Sequence, residues 1–293
     1  MKNIAFIGLG TMGFPIASHL VKQNQKITIY NRNIKKCHNF KKNFKKYNII
    51  IEDNLFSLAK NNQYIFSCVG NDDDLREIYF SKTGIINEIK PNSYIIDHTT
   101  VSSEISIESF IKFKKKNCFF IDAPVSGGEI GAKNGTLSIM VGGDKKIYSK
   151  LRKLLDIYSK SITYMGKSGN GQLTKMVNQI CVAGIIQGLS EGLNFAKQKK
   201  LSFNELFDAV SNGAAQSWQM DNRASTMWLD KFKFGFMNKW MKKDLIIALK
   251  EAKKSDILLP CTEEILKFYE QLIFKGYGDF DTSSLIKLLN KKN

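Results

Sequence analysis

The stretch Gly8-Leu9-Gly10-Thr11-Met12-Gly13 constrains this chain more than any other, because it follows an apolar β-type run and opens a helix-like segment at 14–23. In that setting each glycine of G-x-G-x-x-G has a physical task. Gly8 permits a tight turn, Gly10 lets the backbone approach a pyrophosphate, and Gly13 allows close packing of helix on strand. The unpaired N–H groups at the helix start then face the anion. Gly8, Leu9, Gly10, Thr11, Met12 and Gly13 are therefore candidate dinucleotide contacts. A glycine-rich turn without a ligand is the bland alternative. The strand before the motif and the helix and second strand after it speak against that alternative.

Further β-type runs recur at 26–30, 64–69, 94–97, 118–122, 137–142 and 162–165, and helix-length segments separate most of them. That alternation predicts an α/β fold, a doubly wound sheet of Rossmann type. From Gly171 onward apolar residues recur at helical spacing and no strand pattern is visible, so an all-helical C-terminal domain is expected. A length of 293 residues suits two domains. The expected division is 1–165 for dinucleotide binding and 166–293 for substrate and dimer contacts. The apolar stretch 176–196 should form a helix that starts near this boundary and packs against both domains. Asn178, Gln179, Gln187, Ser190 and Glu191 interrupt it too often for a membrane span.

Composition narrows the function. The net charge of +17 invites a nucleic-acid reading, but only four arginines are present and the lysines cluster at 35–46 and 112–116, as on solvated helix faces. No nucleic-acid or membrane partner is expected, although the excess charge should draw anionic cofactors and substrates. The start of the chain lacks an apolar signal-peptide segment, and a cytoplasmic location is expected. The five scattered cysteines contain no C-x-x-C pair, so reduced thiols are expected rather than disulfides or a zinc site. His19, His38 and His98 form no triad-like or metal-binding pattern with Ser, Cys or carboxylates, and no metal is expected.

The end of the second strand bears on the dinucleotide. An acidic residue there would accept hydrogen bonds from the ribose hydroxyls of NAD; here Tyr30-Asn31-Arg32-Asn33 offers an amide and then a guanidinium. Such an arginine can pair with a 2′-phosphate, so Asn31 and Arg32 are candidate contacts and NADP is expected, with NAD possible. An Arg32 that only faces solvent is the alternative.

Three further segments complete the pattern: Asp122-Ala-Pro-Val-Ser-Gly-Gly128, Gly166-Lys-Ser-Gly-Asn-Gly171 leading to Lys175 and Asn178, and Lys243-Asp244. With the N-terminal glycine motif, and in this order, they resemble the β-hydroxyacid dehydrogenase family, which includes 3-hydroxyisobutyrate dehydrogenase, tartronate semialdehyde reductase and the glyoxylate/succinic semialdehyde reductases. The resemblance implies that Ser126, Gly127 and Gly128 hold a substrate carboxylate, as a hydroxyl and successive glycine amides can. It implies that Lys175 exchanges the proton that accompanies hydride transfer, with Asn178 orienting it three residues on along one helix face. Lys243 would reach substrate or nicotinamide, with Asp244 supporting or capping. Trp218 would approach the substrate, although a core tryptophan is as good a reading. Val69, Gly70, Asp74 and Thr100 would be further cofactor contacts. Two departures bear on the pocket: relatives often carry Leu-Pro where Val69-Gly70 stands, and Met or Ser where His98 stands.

The expected activity is interconversion of a short β-hydroxy acid and its semialdehyde or keto acid by an NADP-dependent homodimer or homotetramer. One alternative is a decarboxylating enzyme like 6-phosphogluconate dehydrogenase, whose C-terminal region is much longer. Another is a non-catalytic dinucleotide-binding protein, against which the retained Lys175 and Asn178 argue.

Overall fold

The computed structural model describes residues 2–289. The chain divides into two compact units, Met1–Lys175 and Met176–Asn293. In the first, strands and helices alternate in the order β1 (Ile4–Ile7), α1 (Gly13–Asn24), β2 (Lys26–Tyr30), α2 (Ile34–Asn43), β3 (Asn48–Ile51), α3 (Leu55–Asn61), β4 (Tyr64–Ser67) and α4 (Asp72–Phe80). There follow β5 (Tyr94–Asp97), α5 (Ser103–Lys115), β6 (Phe119–Asp122), β7 (Val125–Ser126), α6 (Gly128–Asn134), β8 (Leu137–Gly143), α7 (Lys145–Leu155) and β9 (Ser159–Gly166).

The strands form one sheet in the order β3-β2-β1-β4-β5-β6-β8-β7, with β9 paired to β8. β1 to β6 run parallel, β8 joins antiparallel to both β6 and β7, and β9 is parallel to β8. This is the doubly wound, Rossmann-type arrangement expected from the alternation. The order reverses between β1 and β4, where the loops leaving the carboxyl ends diverge and open a crevice. Parallel strands covered by helices must be apolar on both faces. In β1, Phe6 joins one core with Ile16, Leu20, Ile29 and Phe66, while Ala5 and Ile7 join a second with Ile65, Leu75 and Ile95.

Two strands go beyond the sequence pattern. β3 is the sheet edge, and the isoleucines at 49–51 that build it alternate between buried and exposed directly after the lysine-rich helix α2. β7 has two residues, too few to leave a periodic signal.

The second unit is helical. α8 (Asn170–Gln198) begins in the first unit and crosses the division at Lys175/Met176, starting earlier than the apolar stretch 176–196 indicated. α9 (Phe203–Ser211), α10 (Trp218–Trp228), α11 (Asn238–Lys253) and α12 (Pro260–Phe274) follow. Among the described residues the β structure of this unit is one isolated bridge between Met237 and Asp281. Ala183, Ile186, Met241, Leu245, Ile265 and Tyr269 form one core of this unit; Leu193, Met220, Ala224, Met227 and Phe232 form another. A buried ion pair ties its later segments together: Arg223 Nε lies 3.1 Å from Asp281 Oδ1, and the same carboxylate accepts the Phe236 and Ser283 amides. Removing one partner of such a pair strands a charge and costs about 3–5 kcal/mol.

Among the described residues no helix is long and apolar enough to cross a membrane. The five cysteines are free thiols, Cys37 and Cys118 buried.

Candidate active site

The glycine turn joins β1 to α1 at the point where the strand order reverses. Gly8 has φ +98, and a Cβ there would run into the Cys68 carbonyl oxygen at the end of β4, so only glycine lets these strand ends approach. A Cβ on Gly13 would collide with the Gly8 carbonyl oxygen, which explains the third glycine by packing alone. Gly10 differs, because a Cβ there meets no protein atom within 4 Å. The start of α1 is uncapped as well. Its N-cap, Met12, makes no side-chain cap, and no acidic residue lies in the first turn. α6 likewise lacks a side-chain cap, at Gly127, whereas α2, α3, α4, α5 and α7 are capped by Asn33, Asn54, Asn71, Ser102 and Asp144. A helix start without its own acceptor, beside a glycine open to close approach, fits the pyrophosphate of a dinucleotide.

Around that turn the structure gathers several of the expected contacts. The Asn31 side chain accepts the Leu9 amide at 2.9 Å, so it holds the turn itself. Arg32, with its side chain 81% exposed, pairs through Nη1 with Asp74 Oδ1 at 2.9 Å. Asp74 in turn accepts the Gly70 amide at 3.0 Å on its other oxygen. The Val69 amide donates to Thr99 Oγ1 at 3.1 Å, and Thr99 donates through both its amide and its hydroxyl to Asp97 Oδ1. Thr100 is half-buried beside them in sequence. Asp97 is fully buried, and burial pushes its carboxyl up to about 7 against the hydrogen bonds from Thr99 and Ser67 that favour the charged form.

His98, one of the two departures, is a packing residue here. Its ring is buried, with Nδ1 2.6 Å from the Ala123 carbonyl and Nε2 2.8 Å from the Tyr158 hydroxyl. Burial holds it neutral by pushing its pKa down to about 4. The His98 ring thus joins the loop after β6 to the segment just before β9, with both of its nitrogens engaged.

The loop after β6 carries Ser126, Gly127 and Gly128. Ser126 pairs with Ser138 of β8, Gly127 has φ +126 and Gly128 φ +62, and a Cβ on Gly128 meets nothing within 4 Å. Lys175 lies near the start of α8 and is 8% exposed, an uncommon environment for a lysine. Asn178 follows on the same helical face. It donates to Gln179 Oε1 at 2.8 Å; Gln179 Nε2 donates to Asp244 Oδ2 at 2.7 Å; and Asp244 Oδ1 pairs with Lys243 Nζ at 3.1 Å. A polar chain therefore links Asn178 on α8 to Lys243 on α11, with Asp244 bracing the lysine. Trp218 opens α10 at 44% exposure with its ring over the Arg223 guanidinium, so it belongs to no core.

Asp97, Thr99, Asp122 and Gln172 went unassigned in the sequence, yet they tie these segments together. Asp97 and Asp122 end adjacent strands in register, the carboxyl-end position where α/β sheets build sites. Their position was legible; their partners, up to 50 residues away, were not. Among the described residues no group of His, Cys, Asp or Glu is placed to hold a metal ion.

Residues 3–166 match the family model described as the NAD binding domain of 6-phosphogluconate dehydrogenase, and 169–289 that described as NAD-binding of NADP-dependent 3-hydroxyisobutyrate dehydrogenase. An uncharacterized oxidoreductase of Shewanella frigidimarina is 43% identical over 99% of this chain and 99% of its own. The 2-hydroxy-3-oxopropionate reductase of Escherichia coli is 30% identical, over 98% of this chain and 97% of its own. The fold is that of Mycobacterium tuberculosis 3-hydroxyisobutyrate dehydrogenase, solved with L-serine, at TM-score 0.88, 24% identity and 99% of both chains. The chain belongs to the 3-hydroxyisobutyrate dehydrogenase family and is an oxidoreductase with a nicotinamide-dinucleotide-binding domain.

Proposed function

We propose that this protein is an NADP-dependent dehydrogenase that interconverts a short β-hydroxy acid and its semialdehyde or keto acid, with Lys175 as the acid/base. The carrying observation is a lysine only 8% exposed, one turn into a helix that follows the Gly-rich segment 166–171. When bound at the glycine turn, the dinucleotide supplies or accepts the hydride. Lys175 gives a proton to the carbonyl oxygen as it gains charge in reduction, and takes it back from the hydroxyl in oxidation. Asn178, fixed through Gln179 to Asp244, orients that exchange from the same helical face. Ser126 and the amides of Gly127 and Gly128 hold the substrate carboxylate, a role supported by positive φ at both glycines. Lys243, braced by Asp244, adds a second cation for the acid or the nicotinamide carboxamide. Arg32 is the 2′-phosphate partner and the basis for NADP over NAD.

The test is Lys175→Ala, assayed with NADPH against glyoxylate, succinic semialdehyde and 2-hydroxy-3-oxopropionate, and with NADP against 3-hydroxyisobutyrate. Turnover of the best of these substrates should fall by about 10²–10⁴-fold, the usual contribution of a positioned acid/base, while NADPH affinity is kept. Unchanged turnover removes the lysine from the mechanism. Release of carbon dioxide from the hydroxy acid would instead favour a decarboxylating reaction.

A further inference from the structure

We propose that Gln172 is a positioning residue for Lys175, pinning the first turn of α8 to the loop after β5 while the Asp122 carboxylate seats the same turn on the end of β6. This rests on the proton-exchanging role of Lys175 given above. Gln172 is fully buried, and both ends of its amide are engaged: Nε2 donates to the Thr99 carbonyl at 2.8 Å, and Oε1 accepts the Val101 amide at 3.2 Å. The two bonds straddle Thr100, so the amide is fixed to this loop in two directions rather than one. Thr99 is itself anchored on Asp97 and receives the Val69 amide, which extends the linkage to the loop after β4. Loops at these strand ends face the crevice of the sheet, so Gln172 couples them directly to the helix that carries Lys175.

Asp122 supplies the second anchor. A helix start leaves its first N–H groups without partners, and a residue just before the helix usually accepts them. Here the acceptor comes from another strand. Asp122 Oδ1 accepts the Ser168 hydroxyl at 3.0 Å and the Gly169 amide at 2.8 Å, and Oδ2 accepts the Gln172 amide at 3.2 Å. There is no slack beneath this turn. A Cβ on Gly171 would lie 2.6 Å from the Met140 carbonyl oxygen and 2.7 Å from Asp122 Oδ2. A Cβ on Gly142 would press on the same carboxylate. The turn can neither slide along nor rotate over the strand ends without breaking these contacts. Lys175 follows Gln172 by three residues and so leaves the helix on nearly the same face. A displacement of about 1 Å at a reacting group can cost on the order of 10²-fold in rate, which is why a pin at this place bears on chemistry as well as stability.

The experiment compares Gln172→Met and Gln172→Glu with the parent protein, using the same substrates, with thermal unfolding measured alongside. Gln172→Met keeps the volume and loses both bonds, and kcat should fall about 10- to 100-fold with the Michaelis constant for NADPH little changed. In Gln172→Glu a protonated carboxyl can again donate to Thr99 and accept from Val101, whereas the ionised form faces the Thr99 carbonyl with a charge. Its kcat should therefore recover as pH is lowered, in a limb absent from the parent profile. A folded Met variant with parental kcat, or a Glu variant with the parental pH profile, overturns the proposal. So does failure of both variants to fold, which would assign Gln172 to stability alone. Lys175→Ala run in parallel separates the two readings: if it is inactive while the Gln172 variants behave as the parent, only the positioning role falls.

Discussion

Arg32 and Asp74 form an ion pair at 2.9 Å across the carboxyl ends of β2 and β4, and the Asp74 carboxylate also holds the Gly70 amide. An exposed pair of this kind contributes about 0–1 kcal/mol. Arg32 can thus leave it for the stronger, doubly charged 2′-phosphate of NADP. Asp74 competes for the same guanidinium.

Arg32→Ala should raise the Michaelis constant for NADPH about tenfold or more and change that for NADH little. Asp74→Asn should shift the balance the other way, toward NADPH. Steady-state kinetics with both cofactors checks this, and an NADPH constant unaffected by Arg32→Ala would remove the arginine from cofactor choice.

Gly10 and Gly13 separate ligand approach from packing. Gly13→Ala forces a Cβ into the Gly8 carbonyl oxygen and should lower the melting temperature by several degrees. Gly10→Ala meets no protein atom within 4 Å, so its melting temperature should stay near that of the parent while NADPH binding weakens tenfold or more. Calorimetric titration of NADPH with paired thermal scans reads both. Parental affinity in Gly10→Ala would mean that no pyrophosphate lies against this turn.

Asp97 and His98 are adjacent, buried and pull the pH dependence of stability in opposite directions. Asp97 is raised to about 7, so between about pH 4 and 7 the folded protein holds a proton that the unfolded chain has released. Its stabilising contribution is complete at low pH and is lost as pH rises through that window. His98 is lowered to about 4, so between about pH 4 and 6.5 the unfolded chain holds the extra proton, and this contribution is lost as pH falls. Asp97→Asn removes the first effect and leaves the second. Its melting temperature, taken relative to the parent, should rise as the buffer moves from pH 4.5 to 7. A difference independent of pH would show that Asp97 does not titrate in this window.

The doubly wound sheet was legible because its evidence is local. Strand runs such as 4–7 and 94–97 are apolar on both faces, and the turn at 8–13 needs glycine for reasons contained in one strand-turn-helix unit. β3 escaped because an edge strand alternates weakly and follows a lysine-rich helix; β7 escaped because two residues have no period. At the site, the residue types were visible but their wiring was not. Arg32 reads as an exposed cation until Asp74, 42 residues on, is seen beside it. His98 reads as a departure in a pocket until Tyr158, 60 residues away, is seen to satisfy its ring.

What the amino-acid order determined by itself is therefore periodicity and turn chemistry: which segments form the strands of a doubly wound sheet, which form helices, and where the backbone needs glycine. What only the tertiary structure decided is which polar groups satisfy one another once buried. Asp122 meets the start of α8, Gln172 meets Thr99 and Val101, and Asp97 meets Ser67 across separations that no local rule spans. The reason is physical: apolar burial is non-directional and leaves its mark in sequence spacing, whereas a hydrogen bond needs a particular partner within about 3 Å, and folding alone brings it there.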